Sequence, residues 1–163
     1  MIKHQGSCHC GQIKFTTEYD PMLVSQCNCS RCRKLMGAVG VYTIYGSSDV
    51  EISGESKVYD FMGGSGMPLH LHFCPKCGTR THAYADAFDG FMFMPIGAFD
   101  NSRQFLPRIE YFRNYGLDWL TNNGCIEESF GEAAVVERMQ ALMENLDQRE
   151  WWIFTFGSLN IKI

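Results

Sequence analysis

Seven of the chain's eight cysteines fall into three short clusters, and their spacing constrains the fold more than any other feature. The clusters are Cys8-His-Cys10, Cys27-Asn-Cys29-Ser-Arg-Cys32 and Cys74-Pro-Lys-Cys77-Gly. A C-x-C segment places two thiols on one side of an extended chain, because side chains alternate across a strand. A C-x-x-C segment followed by glycine is typical of a zinc-binding turn. We therefore expect a small domain whose loops are tied together by metal.

The seven thiols divide into a set of four and a set of three. Cys27, Cys29 and Cys32 lie within six residues and can reach one metal ion without further ligands. The pairs Cys8–Cys10 and Cys74–Cys77 each supply half of a tetrahedron, so together they predict a closed four-thiolate site. A closed site is normally structural, whereas a three-thiolate site keeps one position open for chemistry. We expect two zinc ions per chain.

Other interpretations of the same thiols remain open at this point. All seven could be free thiols, or they could bind an iron–sulfur cluster, since thiolates serve iron as well as zinc. The three-cysteine site could also be closed by Ser30, Asn28 or a backbone group and be merely structural. Zinc in an open site would instead lower the pKa of an incoming thiol and prepare it for carbon–sulfur bond formation.

Composition and charge exclude several classes of protein. The chain has 163 residues, of which 45% are hydrophobic, and its net charge is −4. No basic face is expected, which argues against a nucleic-acid partner. No apolar run reaches the ~18 residues of a membrane span, and the amino-terminal residues lack the apolar core of a secretory signal. We expect a cytoplasmic protein, because clustered thiols stay reduced there.

The chain up to about residue 115 has the pattern of β-structure broken by turns. Short apolar or alternating segments predict strands at 12–17, 40–45, 50–53, 57–61, 69–73 and 91–96. The segment Ser30–Met36 predicts a short helix or a turn, whose amino end offers backbone N–H groups to thiolates. We expect a mainly β fold of several small coiled antiparallel sheets around the zinc sites, within a domain spanning 1–125.

The remaining segment, 126–163, differs in pattern. Ser129 and Glu132 match a capping box, and Val135, Met139, Leu142 and Leu146 have helical spacing, which predicts an amphipathic helix of about four turns. The final stretch, Trp151–Phe156, is apolar and strand-like and would be an aggregation risk if exposed. We expect this stretch to dock either on the domain or on a partner subunit. The second arrangement would give a homodimer.

The quoted motifs resemble a known family. Gly6-Ser-Cys-His-Cys-Gly-Gln-Ile-Lys-Phe15, Cys27-Asn-Cys-Ser-Arg-Cys-Arg-Lys34 and Phe73-Cys-Pro-Lys-Cys-Gly78 together are similar to the glutathione-dependent formaldehyde-activating enzyme family, which includes the centromere protein V domain. The resemblance covers about residues 3–119. It departs from the family at Leu71, where relatives often carry arginine, and at Arg108–Ile109, where they often carry histidine.

The resemblance implies a fold, two metal sites and an activity. It implies structural zinc on Cys8, Cys10, Cys74 and Cys77, and catalytic zinc on Cys27, Cys29 and Cys32. The implied activity is that of a carbon–sulfur lyase that joins glutathione to formaldehyde as S-hydroxymethylglutathione. The implied partners are therefore a small thiol and a small aldehyde.

Substrate contacts are predicted at four further residues. Arg33 and Lys34 follow the reactive cluster and could attract a carboxylate such as those of glutathione, while Arg80 and Tyr84 follow the Cys74-Pro-Lys-Cys77 turn and could line the same cleft. Two alternative functions are a zinc-scaffolded interaction module without activity and a reductase that uses the isolated Cys125. The leading hypothesis is the zinc enzyme.

Overall fold

The strands form two sheets, one of three strands and one of eight, in a computed structural model that describes residues 1–120 and 124–144. The mainly β fold is confirmed. The strands of this part of the chain are β1 His4–Ser7, β2 Lys14–Thr17, β3 Leu23–Cys27, β4 Gly40–Gly46, β5 Val50–Ser53, β6 Lys57–Met62, β7 Pro68–Phe73, β8 Arg80–Ala85, β9 Phe91–Pro95, β10 Ile109–Tyr111 and β11 Glu128–Ser129. The helices are α1 Ser30–Met36 and α2 Val135–Met143.

The two sheets are mostly antiparallel. The small sheet has the order β1-β2-β5, and the large sheet has the order β11-β10-β3-β4-β9-β8-β7-β6. The exceptions are β3 with β10 and β10 with β11, which pair in parallel. A parallel pair needs a long connection, and here the connection from β3 to β10 contains about half of the chain. The last strands therefore return to the strand that ends at Cys27.

The large sheet is buried on both faces around its centre. Phe93 of β9 packs into a cluster with Ile44, while the neighbouring Met92 and Met94 pack into a second cluster with Tyr45. Consecutive side chains of a strand point to opposite faces, so a strand without polar alternation indicates burial on both sides. This explains why β9 is apolar along its whole length.

Most of the predicted elements are present. Of the helix and the turn that the sequence allows over Ser30–Met36, the structure has the helix, α1, and the six predicted strands match β2, β4, β5, β6, β7 and β9 within two residues. Strands β1, β3, β8, β10 and β11 were not predicted. These are short or carry polar residues on a buried face, as at Thr81 and His82 of β8. Their hydrophobic pattern is therefore weak.

The predicted capping box at Ser129 is wrong. Ser129 lies in β11, and its hydroxyl donates a hydrogen bond to Glu110 Oε1 at 2.7 Å. Helix α2 begins six residues later, after Ala134 in a left-handed conformation (φ 45°) and without a side-chain cap. The buried carboxylate of Glu110 accepts a hydrogen bond from the Ser129 hydroxyl, which is the group that would cap a helix. Ser129 therefore pairs as part of a strand instead.

The predicted apolar side of this helix is confirmed where the structure describes it. Leu142 is 1% exposed, and Val135 and Met139 pack against the same core cluster. Leu146, the tail Trp151–Phe156 and the homodimer contact predicted through that tail lie outside the described residues. Among the helices that are described, none has the length and apolar character needed to cross a bilayer.

Candidate functional site

The first cysteine cluster lies at the junction of β3 and α1. Cys27 ends β3, Cys29 is the N-cap of α1, and Cys32 lies in its first turn. The three sulfurs lie within 4.8 Å of one another and could hold a metal ion. The Cys32 backbone N–H donates a hydrogen bond to Cys29 Sγ at 3.3 Å. The helix start thus brings the thiols together and points an amide at one of them, as its sequence predicts.

The three thiols do not share charge equally. The pKa of Cys29 is lowered to about 2, because the Cys27 and Cys32 thiols and the backbone N–H groups of α1 stabilise its thiolate. The pKa of Cys27 is raised by the same hydrogen bonds, and that of Cys32 is raised to about 11. One thiolate therefore forms readily before metal binding, and a soft divalent cation would be needed to deprotonate all three.

A buried polar network holds the loop between these cysteines. Asn28 lies between two of them, and its Nδ2 donates to Glu110 Oε2 at 3.0 Å and to the Tyr111 carbonyl oxygen at 3.2 Å. Gln26 Nε2 donates to the same carboxylate at 3.4 Å. Glu110 is 2% exposed. The Asn28 side chain thus uses its amide group in hydrogen bonds to β10. This indicates a structural role rather than that of a metal ligand.

The second cysteine cluster joins two turns that are far apart in the sequence. Cys8 and Cys10 lie in the turn between β1 and β2, and Cys74 and Cys77 lie in the turn between β7 and β8. Their four sulfurs also lie within 4.8 Å of one another. The expectation that the first pair would lie on an extended segment is wrong. The Gly11 N–H donates to the Cys8 carbonyl oxygen at 2.9 Å, so a tight turn brings the two thiols together.

Backbone and hydroxyl donors surround this second cluster. Ile13 N–H donates to Cys8 Sγ at 3.2 Å, and the Thr79 hydroxyl lies 3.2 Å from Cys77 Sγ. The hydrogen bonds from Thr79 lower the pKa of Cys77 to about 5. Cys8 and Cys74 are almost completely buried. Four converging sulfurs with amide donors have the ligand count and the surroundings of a closed tetrahedral zinc site.

The three-cysteine cluster forms part of the wall of a cavity, and the four-cysteine cluster does not. The cavity has a volume of about 100 Å³. Its lining is mostly apolar and includes Leu35, Phe61, Leu71, Phe88, Phe93, Tyr111 and Phe112 beside the three cysteines. Tyr42, Arg31 and Arg138 add polar groups to it. A concave apolar site with a few polar groups is the usual form of a small-molecule site.

The four predicted substrate contacts lie elsewhere. Arg33 donates through Nη1 to the Tyr115 carbonyl oxygen at 2.8 Å, and Lys34 is exposed on α1. Arg80 begins β8, and Tyr84 on the same strand packs edge-on against His72 and His82. None of these four residues is among those that line the cavity. Their role in binding substrate stays a prediction.

Other residues reach the cavity without having been predicted. Tyr42, Tyr111 and Arg138 line it, and each comes from a different element, β4, β10 and α2. Only the strand pairing and the packing of α2 bring them together, so no local sequence pattern could have revealed them. Cys125 belongs to neither cysteine cluster and does not line the cavity.

Comparison with known proteins bears on the part of the chain that carries both clusters. Residues 3–115 match the model of a family described as glutathione-dependent formaldehyde-activating enzyme. Among solved structures, a Rhodobacter sphaeroides protein is similar at 24% sequence identity and a TM-score of 0.47, over 60% of this chain and 88% of that one. The family match contains all seven clustered cysteines and ends before α2.

Proposed function

The chain belongs to the glutathione-dependent formaldehyde-activating enzyme family, and from this we propose that it is a zinc-dependent enzyme of the carbon–sulfur lyase type. It would add a small thiol such as glutathione to a small aldehyde such as formaldehyde, or catalyse the reverse. The observation that carries this proposal is that three converging cysteine sulfurs lie in the wall of a cavity.

The reaction needs no further reactant. The thiol sulfur forms a bond to the carbonyl carbon, the π electron pair of the carbonyl moves to its oxygen, and the thiol proton ends on that oxygen. The site must therefore favour the thiolate over the thiol and stabilise charge on the oxygen. Zinc held by Cys27, Cys29 and Cys32 would supply the positive charge that makes an incoming thiol ionise at neutral pH.

The chain's own residues position the groups that this chemistry would use. The amino end of α1 donates the Cys32 N–H to Cys29 and keeps its thiolate in place. Tyr42 lines the same cavity, and burial, together with the neighbouring thiolate charge of Cys32, holds its pKa well above the ordinary value. Its hydroxyl thus stays protonated at neutral pH and forms a hydrogen bond with Cys32, so it lies at the cysteine cluster, where a substrate oxygen would compete for its proton.

The second cluster is assigned a structural role in this proposal. Cys8, Cys10, Cys74 and Cys77 supply four soft ligands, which leave no position for substrate, and they do not line the cavity. Both sites need reduced thiols, so the reducing cytoplasm is the compartment that we propose.

Substitution of Cys29 tests the proposed function. We expect Cys29→Ser to lower glutathione–formaldehyde adduct formation, followed by exchange NMR, to the uncatalysed rate. Circular dichroism should stay unchanged, because the four-cysteine cluster is intact. Cys125→Ser is the matched control and should keep full activity. Full activity in Cys29→Ser would refute the catalytic site, and loss of activity in Cys125→Ser alone would favour the Cys125-based reductase.

A further inference from the structure

Arg138 places a guanidinium against the wall of the cavity, from a helix beyond the family match. Its guanidinium carbon lies 4.3 Å from the centroid of the Tyr111 ring, 4.5 Å from that of Phe88 and 5.9 Å from that of Phe93. All four residues line the cavity. Contact with three aromatic rings holds the charge in place through cation–π attraction.

The guanidinium has hydrogen-bonding capacity left over. Its buried Nε has no hydrogen-bond partner among the described residues, and no carboxylate of that part of the chain forms an ion pair with it. Stacking uses the faces of a guanidinium, whereas its N–H donors lie in its plane. A buried donor without a partner costs free energy, so a ligand that supplies an acceptor would be favoured here.

The arginines of the cavity favour an anion beside Arg138. Arg138 and the exposed Arg31 line the cavity, no aspartate or glutamate is among its described lining residues, and its negative charge comes from the Cys29 thiolate of the cysteine cluster. A carboxylate accepts two parallel hydrogen bonds from a guanidinium, which suits an arginine fixed against aromatic rings.

The size and the walls of the cavity restrict the ligand that can fill it. A volume of about 100 Å³ is somewhat below the ~150 Å³ of a known cavity that binds benzene, so it suits the body of a small aldehyde, a ring or a short branched chain. The walls nearest Arg138 are the rings of Phe88, Phe93 and Tyr111. Tyr111 is also the strand neighbour of Cys27, so one residue connects the cation to the cysteine cluster.

We propose that the cavity selects an aldehyde that also carries a carboxylate, with a small apolar body between the two groups. The carboxylate would bind Arg138, the apolar body would pack on Phe88, Phe93 and Tyr111, and the aldehyde would face Cys27, Cys29 and Cys32. This rests on the proposed function, because it names the substrate class of that site. It assigns Arg138 as a residue that determines specificity.

Calorimetric binding of benzoate, benzamide and acetate to the zinc-loaded full chain tests the proposal. These probes contain neither aldehyde nor thiol, so the result does not depend on the proposed chemistry. We expect benzoate to bind about tenfold more tightly than benzamide, which lacks the charge, and than acetate, which lacks the ring. Equal affinity for benzoate and benzamide would overturn the proposal even if Cys29 proves catalytic.

Variants then assign the preference to one side chain. Arg138→Gln should lose the preference for benzoate over benzamide while its benzamide affinity stays the same. Arg138→Lys should keep part of the preference, because it keeps the charge without the paired donors. Arg103→Gln, an exposed arginine outside the cavity, should behave as the parent. If Arg138→Gln keeps the parent's full preference for benzoate over benzamide, the role of Arg138 is overturned. If that variant fails to fold, the comparison of benzoate with benzamide in the parent protein still decides the proposal.

Discussion

Glu110 is a buried carboxylate that holds the loop carrying two of the clustered cysteines. It accepts hydrogen bonds from Asn28 Nδ2, Gln26 Nε2 and the Ser129 hydroxyl, and Arg113 Nε lies 3.6 Å from it. A buried carboxylate is stable only when donors surround it in this way. The loop between Cys27 and Cys29 therefore depends on residues more than 80 positions later in the sequence.

At this residue scale, Glu110→Gln is expected to destabilise the fold. The new amide would place its NH2 group against Asn28, Gln26 or Ser129, all of which donate, so the free energy of unfolding should fall by ~1–3 kcal/mol in urea. The matched control is Glu127→Gln, because Glu127 is exposed and its ion pair with Arg108 is long, at 3.6 Å. The control should change stability by less than ~0.5 kcal/mol. Equal effects of the two variants would contradict the buried network.

His82 makes stability depend on pH. Burial, with a smaller contribution from the charge of His72, lowers the pKa of His82 to about 4 from the ordinary 6.5. Between those values the unfolded chain binds a proton that the folded chain does not, so stability falls as pH falls from 6.5 to 4. The free energy of unfolding should therefore fall by ~3 kcal/mol between pH 6.5 and 4 in the parent, and we expect His82→Gln to remove this pH dependence.

His70→Gln is the control, because the pKa of His70 is shifted in the opposite direction to that of His82. Hydrogen bonds to Asp60 and Asp86 raise the pKa of His70. Its stabilising contribution is therefore complete below pH 6.5 and is lost as pH rises through the raised pKa. Removing it should alter the pH dependence only around and above pH 6.5. If His82→Gln keeps the parent's slope between pH 4 and 6.5, the assignment to His82 is wrong.

At the scale of elements, α2 belongs to the same core as the large sheet. Ala141 and Leu142 are buried in one cluster with Leu23, Ile44 and Ile109. Strand β11 adds to the edge of the large sheet through β10. The described part of the segment after residue 125 thus contributes both to the core and, through Arg138, to the cavity wall, while the domain boundary at 125 stays a prediction.

Truncation of a core residue of α2 measures this contribution. We expect Leu142→Ala to lower the free energy of unfolding by ~2–5 kcal/mol, because the side chain is 1% exposed and its removal leaves a cavity. Val136→Ala on the same helix, where the side chain is 66% exposed, should change it by less than ~0.5 kcal/mol. Similar small effects of both variants in urea unfolding would mean that α2 is not integral to the fold.

At the scale of the whole molecule, the four-cysteine cluster connects the two sheets. One pair of its cysteines lies in the turn of the small sheet and the other pair in a turn of the large sheet, 64 residues away at Cys10 and Cys74. A metal ion bound there would close this long loop, and its binding free energy would be folding free energy. The three-cysteine cluster lies on a single β–α junction and has no such linking role.

Loss of one ligand from each cluster should therefore have different consequences. We expect Cys74→Ser to be unfolded or to melt more than ~10 °C below the parent, because Cys74 is fully buried and the linking site is lost. Cys32→Ser should melt close to the parent but lose activity. Thermal circular dichroism with zinc content per chain measures both effects. A Cys74→Ser protein that melts like the parent would refute the structural assignment.

The local spacing of residues determined the two cysteine clusters, the start of α1 and the apolar strands, because each depends on residues within a few positions of one another. The division into four and three ligands also followed from spacing alone. The cavity did not, because Tyr42, Tyr111 and Arg138 meet only when β10 pairs in parallel with β3 and α2 packs on the sheet. The same long-range pairing gave Ser129 a partner in Glu110 and overrode its local capping pattern. The sequence thus determined which groups can bind a metal, whereas the tertiary structure decided which side chains line the cavity beside them.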